Sequence, residues 1–254
     1  MINITERHQS ILEKLKKEGE VKVLDLCREL DVSSVTIRKD LKLLEDKNLL
    51  YRTHGGATSN NPYTIDRPVN EKEKLQSREK NDIGAAAVKL IQPNDSIIIA
   101  SGTTVLSLAR KIDASQGLTV ITSALPVALE LIRHPDIEVL QLGGILRKSS
   151  SSVTGPYAQN ILNDFFCTKL FLGVDGIDME YGLTTTSSLE AHLNRQMIAV
   201  SQKVIVLTDS TKFGKRGFGR ICGLEEIDQV ITDKGITQHH LKVLEGMGIE
   251  VTLV

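Results

Sequence analysis

The chain has 254 residues, of which 41% are hydrophobic and 25% charged, and its formal net charge is −1. Without a basic excess, any binding to nucleic acid has to come from a local patch of the surface. The three cysteines form no CxxC pair, which argues against a disulfide framework and against a zinc site. No apolar run approaches the roughly 20 residues that span a bilayer, and the N-terminus lacks the apolar core of a signal peptide. We therefore expect a cytoplasmic protein that has no membrane partner.

The first two predicted elements are short helices. Ile11, Leu12 and Leu15 form an apolar stripe at helical spacing. Gly19 follows this stripe and is placed to end the helix, because glycine readily adopts the left-handed conformation of a C-terminal cap. A second short helix is predicted over residues 22–30.

A third helix and a ribbon complete the N-terminal pattern. A tight turn precedes Ser33, which is a good N-cap, and Ile37, Leu41 and Leu44 then repeat at the spacing of a buried helix face. Residues 49–57 predict a two-stranded ribbon with a Gly-Gly tip. Helix, turn, capped helix and ribbon together predict a winged helix-turn-helix domain.

The outer side of the third helix carries side chains that suit the major groove of DNA: Val35, Thr36, Arg38, Lys39 and Lys42. On the ribbon, Arg52 and His54 are placed to contact phosphates, and Gly55 allows a close approach of the backbone. Residues 1–57 contain 11 Lys and Arg against 10 Asp and Glu. Composition alone therefore does not predict DNA binding, and the interpretation depends on the arrangement.

The stretch 32–41, together with residues 44–45 and 52–57, resembles the DNA-binding signature of the DeoR/GlpR family of sugar-catabolism repressors. The resemblance implies a cytoplasmic repressor that binds double-stranded operator DNA with a domain at residues 1–57. It adds three residues to the expected DNA contacts: Arg7, Ser33 and Ser34.

Residues 58–78 are polar, contain Pro62 and Pro68, and are predicted to be a linker, with a charged helix beginning near Glu71 or Glu79. Residues 79–254 then alternate short β-branched runs with helical stretches, which predicts a parallel α/β sheet covered by helices on both faces. The predicted strands are 96–100, 118–122, 137–142, 169–173, 203–208, 229–232 and 250–254. The predicted helices between them are 104–112, 125–133, 157–164, 189–200 and 238–247.

Polar or glycine-rich turns follow five of these strands. Since the carboxyl ends of parallel strands meet at one edge of a sheet, we expect these turns to form a ligand site. The candidate site residues are Ser101, Gly102, Thr103, Thr104, Ser123, Gly143, Gly144, Arg147, Gly173, Asp175, Glu190 and Lys212. Cations and a Gly-Thr-Thr turn at a helix start suit a phosphate, and carboxylates suit sugar hydroxyls. The expected ligand is a small phosphorylated polyol, with no cofactor and no metal.

The same turns resemble the sensor domain of the family, which is similar in fold to ribose-5-phosphate isomerase and to the CoA-transferase-like superfamily. Residues 171–178 and 190–195 most resemble the repressors of N-acetylgalactosamine and galactosamine utilisation. The resemblance implies control of a carbohydrate-utilisation operon, with release from DNA by an amino-sugar phosphate or a tagatose phosphate. Ser101 and Ser123 stand where relatives often have aspartate and asparagine.

Two other functions remain open at this point. An isomerase is one, because Asp175, Glu190 and Lys212 are able to supply a base, an acid and a cation. A scaffold that does not touch DNA is the other. A single winged helix covers few base pairs, so a regulator of this kind is expected to be a homo-oligomer, dimer or tetramer.

Overall fold

The structure is a computed structural model that describes residues 3–47, 49–53, 55–59, 68–113 and 117–254. The chain divides into two compact units, residues 1–65 and 66–254. The division falls inside the segment 58–78 that the sequence predicts to be a linker. Each unit is described by itself below.

The N-terminal unit has the helix-turn-helix and wing that the sequence predicts. Its helices are α1 (Ile4–Glu18), α2 (Val23–Leu30) and α3 (Ser34–Asp46), and its strands are β1 (Glu20–Lys22), β2 (Tyr51–Thr53) and β3 (Gly56–Thr58). The strands form an antiparallel sheet in the order β1-β3-β2. Strand β1 was not predicted, because three residues are too few to show a period and its partner β3 lies far along the chain.

The predicted helix faces form the core of this unit. Ile11 and Leu15 of α1 and Ile37, Leu41 and Leu44 of α3 are all at most 2% exposed. Both predicted caps are present as well: the residue after α1 has a φ of 77°, and the serine before α3 accepts a backbone hydrogen bond.

A buried ion pair joins α1 to α3. Arg7 donates from Nε to Asp40 Oδ2 at 2.5 Å and from Nη2 to Asp40 Oδ1 at 2.9 Å. His8 Nε2 lies 3.1 Å from the same Oδ1. Burial by itself would raise the pKa of Asp40, but the hydrogen bonds and charges of Arg7 and His8 hold it below its ordinary value. The carboxylate is therefore ionised and fully partnered inside the unit.

The second unit is built on a seven-stranded sheet in which every neighbouring pair is parallel. Its strands are β4 (Ser96–Ile99), β5 (Leu118–Thr122), β6 (Ile137–Gln141), β9 (Cys167–Gly173), β12 (Ser201–Leu207), β14 (Gln229–Thr232) and β15 (Glu250–Leu253). All seven correspond to predicted strands. The spatial order is β15-β14-β12-β9-β4-β5-β6.

Helices cover both faces of this sheet: α5 (Ser77–Ala87), α6 (Thr103–Ala109), α7 (Leu125–Leu131), α8 (Pro156–Leu162), α9 (Ser188–Ala199) and α10 (Gln238–Gly246). A further short helix, α4 (Val69–Lys74), precedes α5. Alternate residues of one strand enter opposite cores. In β4, Ile97 and Ile99 pack with α5, α6 and α7, whereas Ile98 packs with α8, α9 and α10. This two-sided burial explains the continuous apolar runs of the sequence.

Two smaller antiparallel sheets were not predicted. Strands β7 (Ile145–Arg147) and β8 (Ser152–Thr154) form a hairpin, and β10 (Gly176–Asp178), β11 (Gly182–Thr185) and β13 (Gly219–Cys222) form a three-stranded sheet. Their strands have only three or four residues each, which is too short for a recognisable period.

The second half of the predicted linker is helical. Helix α4 and the start of α5 fall within residues 58–78, and the two helices are separated at Leu75 and Gln76. Gln76 has a φ of 50°, in the left-handed region that non-glycine residues seldom adopt. The charged helix predicted to begin near Glu71 or Glu79 is thus present as two helices, and residues 69–74 and 77–78 of the predicted linker are helical.

We expect the Arg7–Asp40 pair to contribute to the stability of the N-terminal unit. Arg7→Ala leaves Asp40 in the interior without its bidentate partner, which costs about 3 kcal/mol for a buried pair. Hydrogen exchange followed by mass spectrometry should show the cost as faster exchange of the backbone amides in peptides from α1 and α3. Arg28→Ala is the control, because its pair with Asp25 is exposed and is expected to contribute under 1 kcal/mol. Equal losses in the two variants would contradict this account of the pair.

Candidate functional site

The outer side of α3 does not pack against the core of the N-terminal unit. Val35 is 58% exposed, and Arg38, Lys39 and Lys42 are exposed, while Thr36 is half-buried. Three cations therefore project from one short helix beside a small apolar side chain. This is the face that the sequence predicts to enter a major groove.

Ser33, at the start of α3, has a structural role. Ser33 Oγ accepts a hydrogen bond from Thr36 N at 3.2 Å and lies 3.0 Å from Thr36 Oγ1. Ser33 remains exposed and Ser34 is half-buried. A hydroxyl that caps the helix also fixes the orientation of its first turn, where contacts to DNA are predicted.

The wing carries one exposed cation among the described residues. Arg52 receives its orientation from Glu45, whose carboxylate accepts from Arg52 N at 2.9 Å and lies 3.8 Å from Arg52 Nη1. Gly55, at the tip, is exposed with a φ of 102°, a conformation that suits glycine. His54, also predicted to contact DNA, lies outside the described residues.

The prediction that Arg7 contacts DNA is corrected by the structure. Its side chain is 11% exposed, and its guanidinium is engaged by Asp40. An arginine that holds a buried carboxylate is not available to a phosphate without leaving that carboxylate unpaired. We therefore assign Arg7 to the packing of α1 against α3.

The cavity of the second unit lies at the carboxyl ends of the central strands β4, β9 and β12. It is lined by Val69, Lys72, Leu75, Gln76, Lys80, Ser101, Gly102, Thr103, Thr104, Ser149, Ser150, Gly173, Val174, Asp175, Thr185, Glu190, Asp209, Thr211 and Lys212. The turns after β4 and β9 touch closely here. A Cβ on Gly173 would lie 3.1 Å from the carbonyl oxygen of Ser101, and Gly102 has a φ of 132°. The glycines thus allow the two turns to meet at the base of the cavity.

Asp175 lies in this cavity with all its acceptor oxygens in use. Lys72 Nζ donates to Oδ1 at 2.8 Å, and the hydroxyl of Thr185 and the backbone N of Thr186 donate to Oδ2 at 3.0 and 3.2 Å. Burial would raise the pKa of Asp175, but the charges of Lys72 and Lys212 and these hydrogen bonds lower it below the ordinary value. Asp175 is therefore a carboxylate at neutral pH.

Glu190 is the second carboxylate of the cavity, at the start of α9. Ser101 Oγ donates to its Oε1 at 2.5 Å, and Arg147 Nη1 donates to its Oε2. Thr185 Oγ1 lies 3.4 Å from the same Oε2, so it is shared between both carboxylates. Two acidic side chains and one hydroxyl thus form a continuous polar wall.

Lys80 is the most buried cation of the cavity, at 6% exposure. Its ammonium donates to the carbonyl oxygens of Lys72 and Leu75, both at 2.5 Å. Its pKa is lowered to about 8, chiefly by burial and also by the charges of Lys212 and Lys72, against the charge of Asp209, which raises it. Around neutral pH it therefore carries a charge that has few neighbouring anions, and such a group favours an anionic ligand.

Most of the predicted effector residues line this one cavity: Ser101, Gly102, Thr103, Thr104, Gly173, Asp175, Glu190 and Lys212. Arg147 reaches it indirectly through Glu190. Ser123, Gly143 and Gly144 do not line it. Ser123 is buried and its carbonyl oxygen accepts from Val153, while Gly144 faces the Thr154 carbonyl of the β7–β8 hairpin. The loop of this hairpin, at Ser149 and Ser150, lines the cavity instead.

Five lining residues that sequence reasoning missed lie on or between α4 and α5, namely Val69, Lys72, Leu75, Gln76 and Lys80. They lie in or next to the segment predicted to be a linker. A lysine in a charged helix gives no local signal that it points into a cavity.

Within the parts of the chain that the structure describes, no helix is long and apolar enough to cross a membrane. The same residues contain no group of three or more His, Cys, Asp or Glu side chains that could hold a metal ion.

An N-terminal helix-turn-helix joined to an α/β unit with a charged cavity is the layout of a ligand-responsive transcription regulator. Comparison with protein families agrees: residues 7–63 match the DeoR-like helix-turn-helix domain, and residues 75–234 match the DeoR C terminal sensor domain. The chain belongs to the DeoR family of transcriptional repressors. It is a regulator and not an enzyme, so the isomerase interpretation is set aside.

Named relatives extend over nearly the whole chain. The putative aga operon transcriptional repressor of Escherichia coli O157:H7 is 38% identical over 253 residues, 98% of this chain and 94% of the relative. The transcriptional repressor GlcR of Bacillus subtilis (strain 168) is 34% identical and covers 97% of this chain and 95% of the relative. A ribose-5-phosphate isomerase in complex with phospho-erythronic acid has 16% identity over 54% of each chain and a TM-score of 0.40, which is too low to support any conclusion about ligands.

The exposed face of α3 predicts how binding to DNA depends on salt. Arg38→Ala and Lys42→Ala each remove a cation, so affinity for operator DNA should fall, and the slope of log affinity against log salt should decrease by about 1 for each phosphate that the variant no longer neutralises. Fluorescence anisotropy at several salt concentrations measures both quantities. Lys16→Ala on α1 is the control, because this lysine is exposed on another helix. An unchanged slope in both α3 variants would show that this face does not contact DNA.

Proposed function

We propose that the chain represses a carbohydrate-utilisation operon by binding its double-stranded operator DNA, and that a phosphorylated sugar binding in the cavity releases it. The observation that carries this proposal is the chemistry of the cavity. Lysine cations and hydroxyls lie together with two carboxylates that already act as acceptors. A phosphorylated polyol has an anion for the cations and hydroxyls for the carboxylates.

The phosphate belongs on the cationic side of the cavity. Lys80 and Lys212 lie on that side, and the turn after β4 offers the hydroxyls of Thr103 and Thr104. Charge-assisted hydrogen bonds are about twice as strong as neutral ones, so the phosphate supplies most of the discrimination against the free sugar. An unphosphorylated sugar should therefore bind weakly.

The sugar ring belongs beside Asp175 and Glu190. Paired carboxylates accept hydrogen bonds from hydroxyl groups and also attract an ammonium group. We therefore favour an amino-sugar phosphate as effector, in line with the resemblance of residues 171–178 and 190–195, with a tagatose phosphate as the alternative. Comparing an amino-sugar phosphate with its N-acetyl form tests this choice, because acetylation removes the positive charge.

The regulator acts as a homo-oligomer in the cytoplasm. One winged helix reads only part of an operator, so two or four copies on repeated half-sites are needed for adequate specificity. Analytical ultracentrifugation of the full chain distinguishes a dimer from a tetramer.

Replacing one cavity cation should weaken the binding of the sugar phosphate without weakening the binding of operator DNA. Lys212→Met removes a phosphate partner, so the affinity for galactosamine 6-phosphate should fall by at least about tenfold, roughly 1.4 kcal/mol. Operator binding without the sugar should remain at the wild-type level. Calorimetry measures the first quantity and fluorescence anisotropy the second.

Lys234→Met is the matched control, because Lys234 is exposed on the same unit and does not line the cavity. Sugar-phosphate binding that is unaffected by Lys212→Met would contradict the assignment of the cavity. Loss of operator binding in the Lys212 variant would contradict the separation of the two activities.

A further inference from the structure

The cavity is too small for the proposed ligand. It measures about 110 Å³, whereas pockets for drug-sized ligands usually measure at least about 300 Å³. The ion pair between Lys72 Nζ and Asp175 Oδ1 lies within it, at 2.8 Å. A sugar phosphate therefore needs this part of the cavity to open.

Helix α4 is attached to the sensor unit by polar contacts. None of its six residues is buried. Val69 N donates to the carbonyl oxygen of Ser149 at 2.6 Å, Lys72 pairs with Asp175, and Glu73 pairs with Arg110 at 2.6 Å. A helix of this length is marginal without apolar packing, so its position depends on these few contacts.

The contact that a ligand would replace is the one to Asp175. Asp175 Oδ2 accepts hydrogen bonds from Thr185 and Thr186, whereas Oδ1 accepts one from Lys72 of α4. In a cavity of this size, a sugar hydroxyl that donates to Oδ1 competes with the lysine ammonium for the space beside that oxygen. Ligand and Lys72 thus compete for the same carboxylate oxygen.

The pivot for such a movement lies at the C-terminal end of α4, where the chain turns into α5. Lys80 of α5 holds the carbonyl oxygens of Lys72 and Leu75, and the chain turns at Gln76 in a left-handed conformation. When Lys72 leaves Asp175, α4 keeps this joint to α5 and its contacts to Ser149 and Arg110, so the ligand removes one of the links that fix the helix. At its other end α4 continues along the chain toward the N-terminal unit through residues 60–68.

We propose that Lys72 is a positioning residue that holds α4 over the effector cavity through Asp175, and that the sugar phosphate competes for Asp175, frees α4 and so transmits occupancy of the cavity to the segment leading to the DNA-binding unit. This inference rests on the proposed function for the identity of the ligand. It assigns the signal to one ion pair. A ligand shifts the equilibrium between the held and the freed helix only by its different affinity for the two states.

Hydrogen exchange of the wild-type chain provides the first test. Adding galactosamine 6-phosphate or ribose 5-phosphate should speed the exchange of amides in residues 69–76, and unphosphorylated galactosamine should not. A sugar phosphate that binds and leaves this exchange unchanged, or slows it, overturns the proposal.

Variants at Lys72 provide the second test. Lys72→Met removes the competitor, so α4 should exchange fast without ligand, operator affinity should fall, and sugar-phosphate affinity should rise by at least about fivefold, the lower end of usual coupling energies. Lys72→Arg preserves the ion pair and should restore wild-type behaviour. Lys74→Met, at an exposed position of the same helix, is the matched control.

The results separate the two proposals. If Lys72→Met weakens the binding of the sugar phosphate, Lys72 is a direct ligand and the competition is refuted. If no sugar phosphate binds the wild-type chain, the proposed function fails. The inference about α4 is then decided by the exchange and operator affinity of Lys72→Met alone, and wild-type values for both refute it.

Discussion

The order of the strands in the central sheet determines where the sensor unit can bind a charged ligand. From β4 the chain continues outward to β5 and β6, and then returns to place β9 on the other side of β4. The chain continues from β4 to β5 on one side and from β9 to β12 on the other, which is the strand order that opens a crevice at the carboxyl ends of the strands. Ser101 and Asp175 follow β4 and β9 and meet there.

The charges that gather in this crevice have to compensate one another until a ligand arrives. An ion taken out of water loses several kcal/mol of hydration, which only good partners restore. Asp175 is compensated by Lys72, and Glu190 by Arg147, whereas Lys80 has mainly carbonyl oxygens for partners. In the proposed function, a sugar phosphate brings both an anion and new donors, and we propose that these rearrange the pairs and so change how firmly α4 is held.

The sequence predicts the parts of this structure that depend on local patterns. All seven strands of the main sheet and the three N-terminal helices follow from apolar spacing, caps and β-branched runs. Arg7 was misassigned because its partner, Asp40, is 33 residues away and no local pattern indicates the pairing. Lys72 and Lys80 were missed because their role depends on α4 folding back over the edge of the sheet. The strands of the small sheets are too short to show a period.

The central claim is that occupancy of the cavity controls the affinity of the chain for DNA. It is tested most directly by fluorescence anisotropy of the wild-type chain bound to the DNA upstream of its own operon, titrated with sugar phosphates and with the corresponding free sugars. The account predicts tight, salt-sensitive binding that one phosphorylated sugar releases and its unphosphorylated form does not. A complex that no sugar phosphate able to bind the chain can dissociate would contradict it.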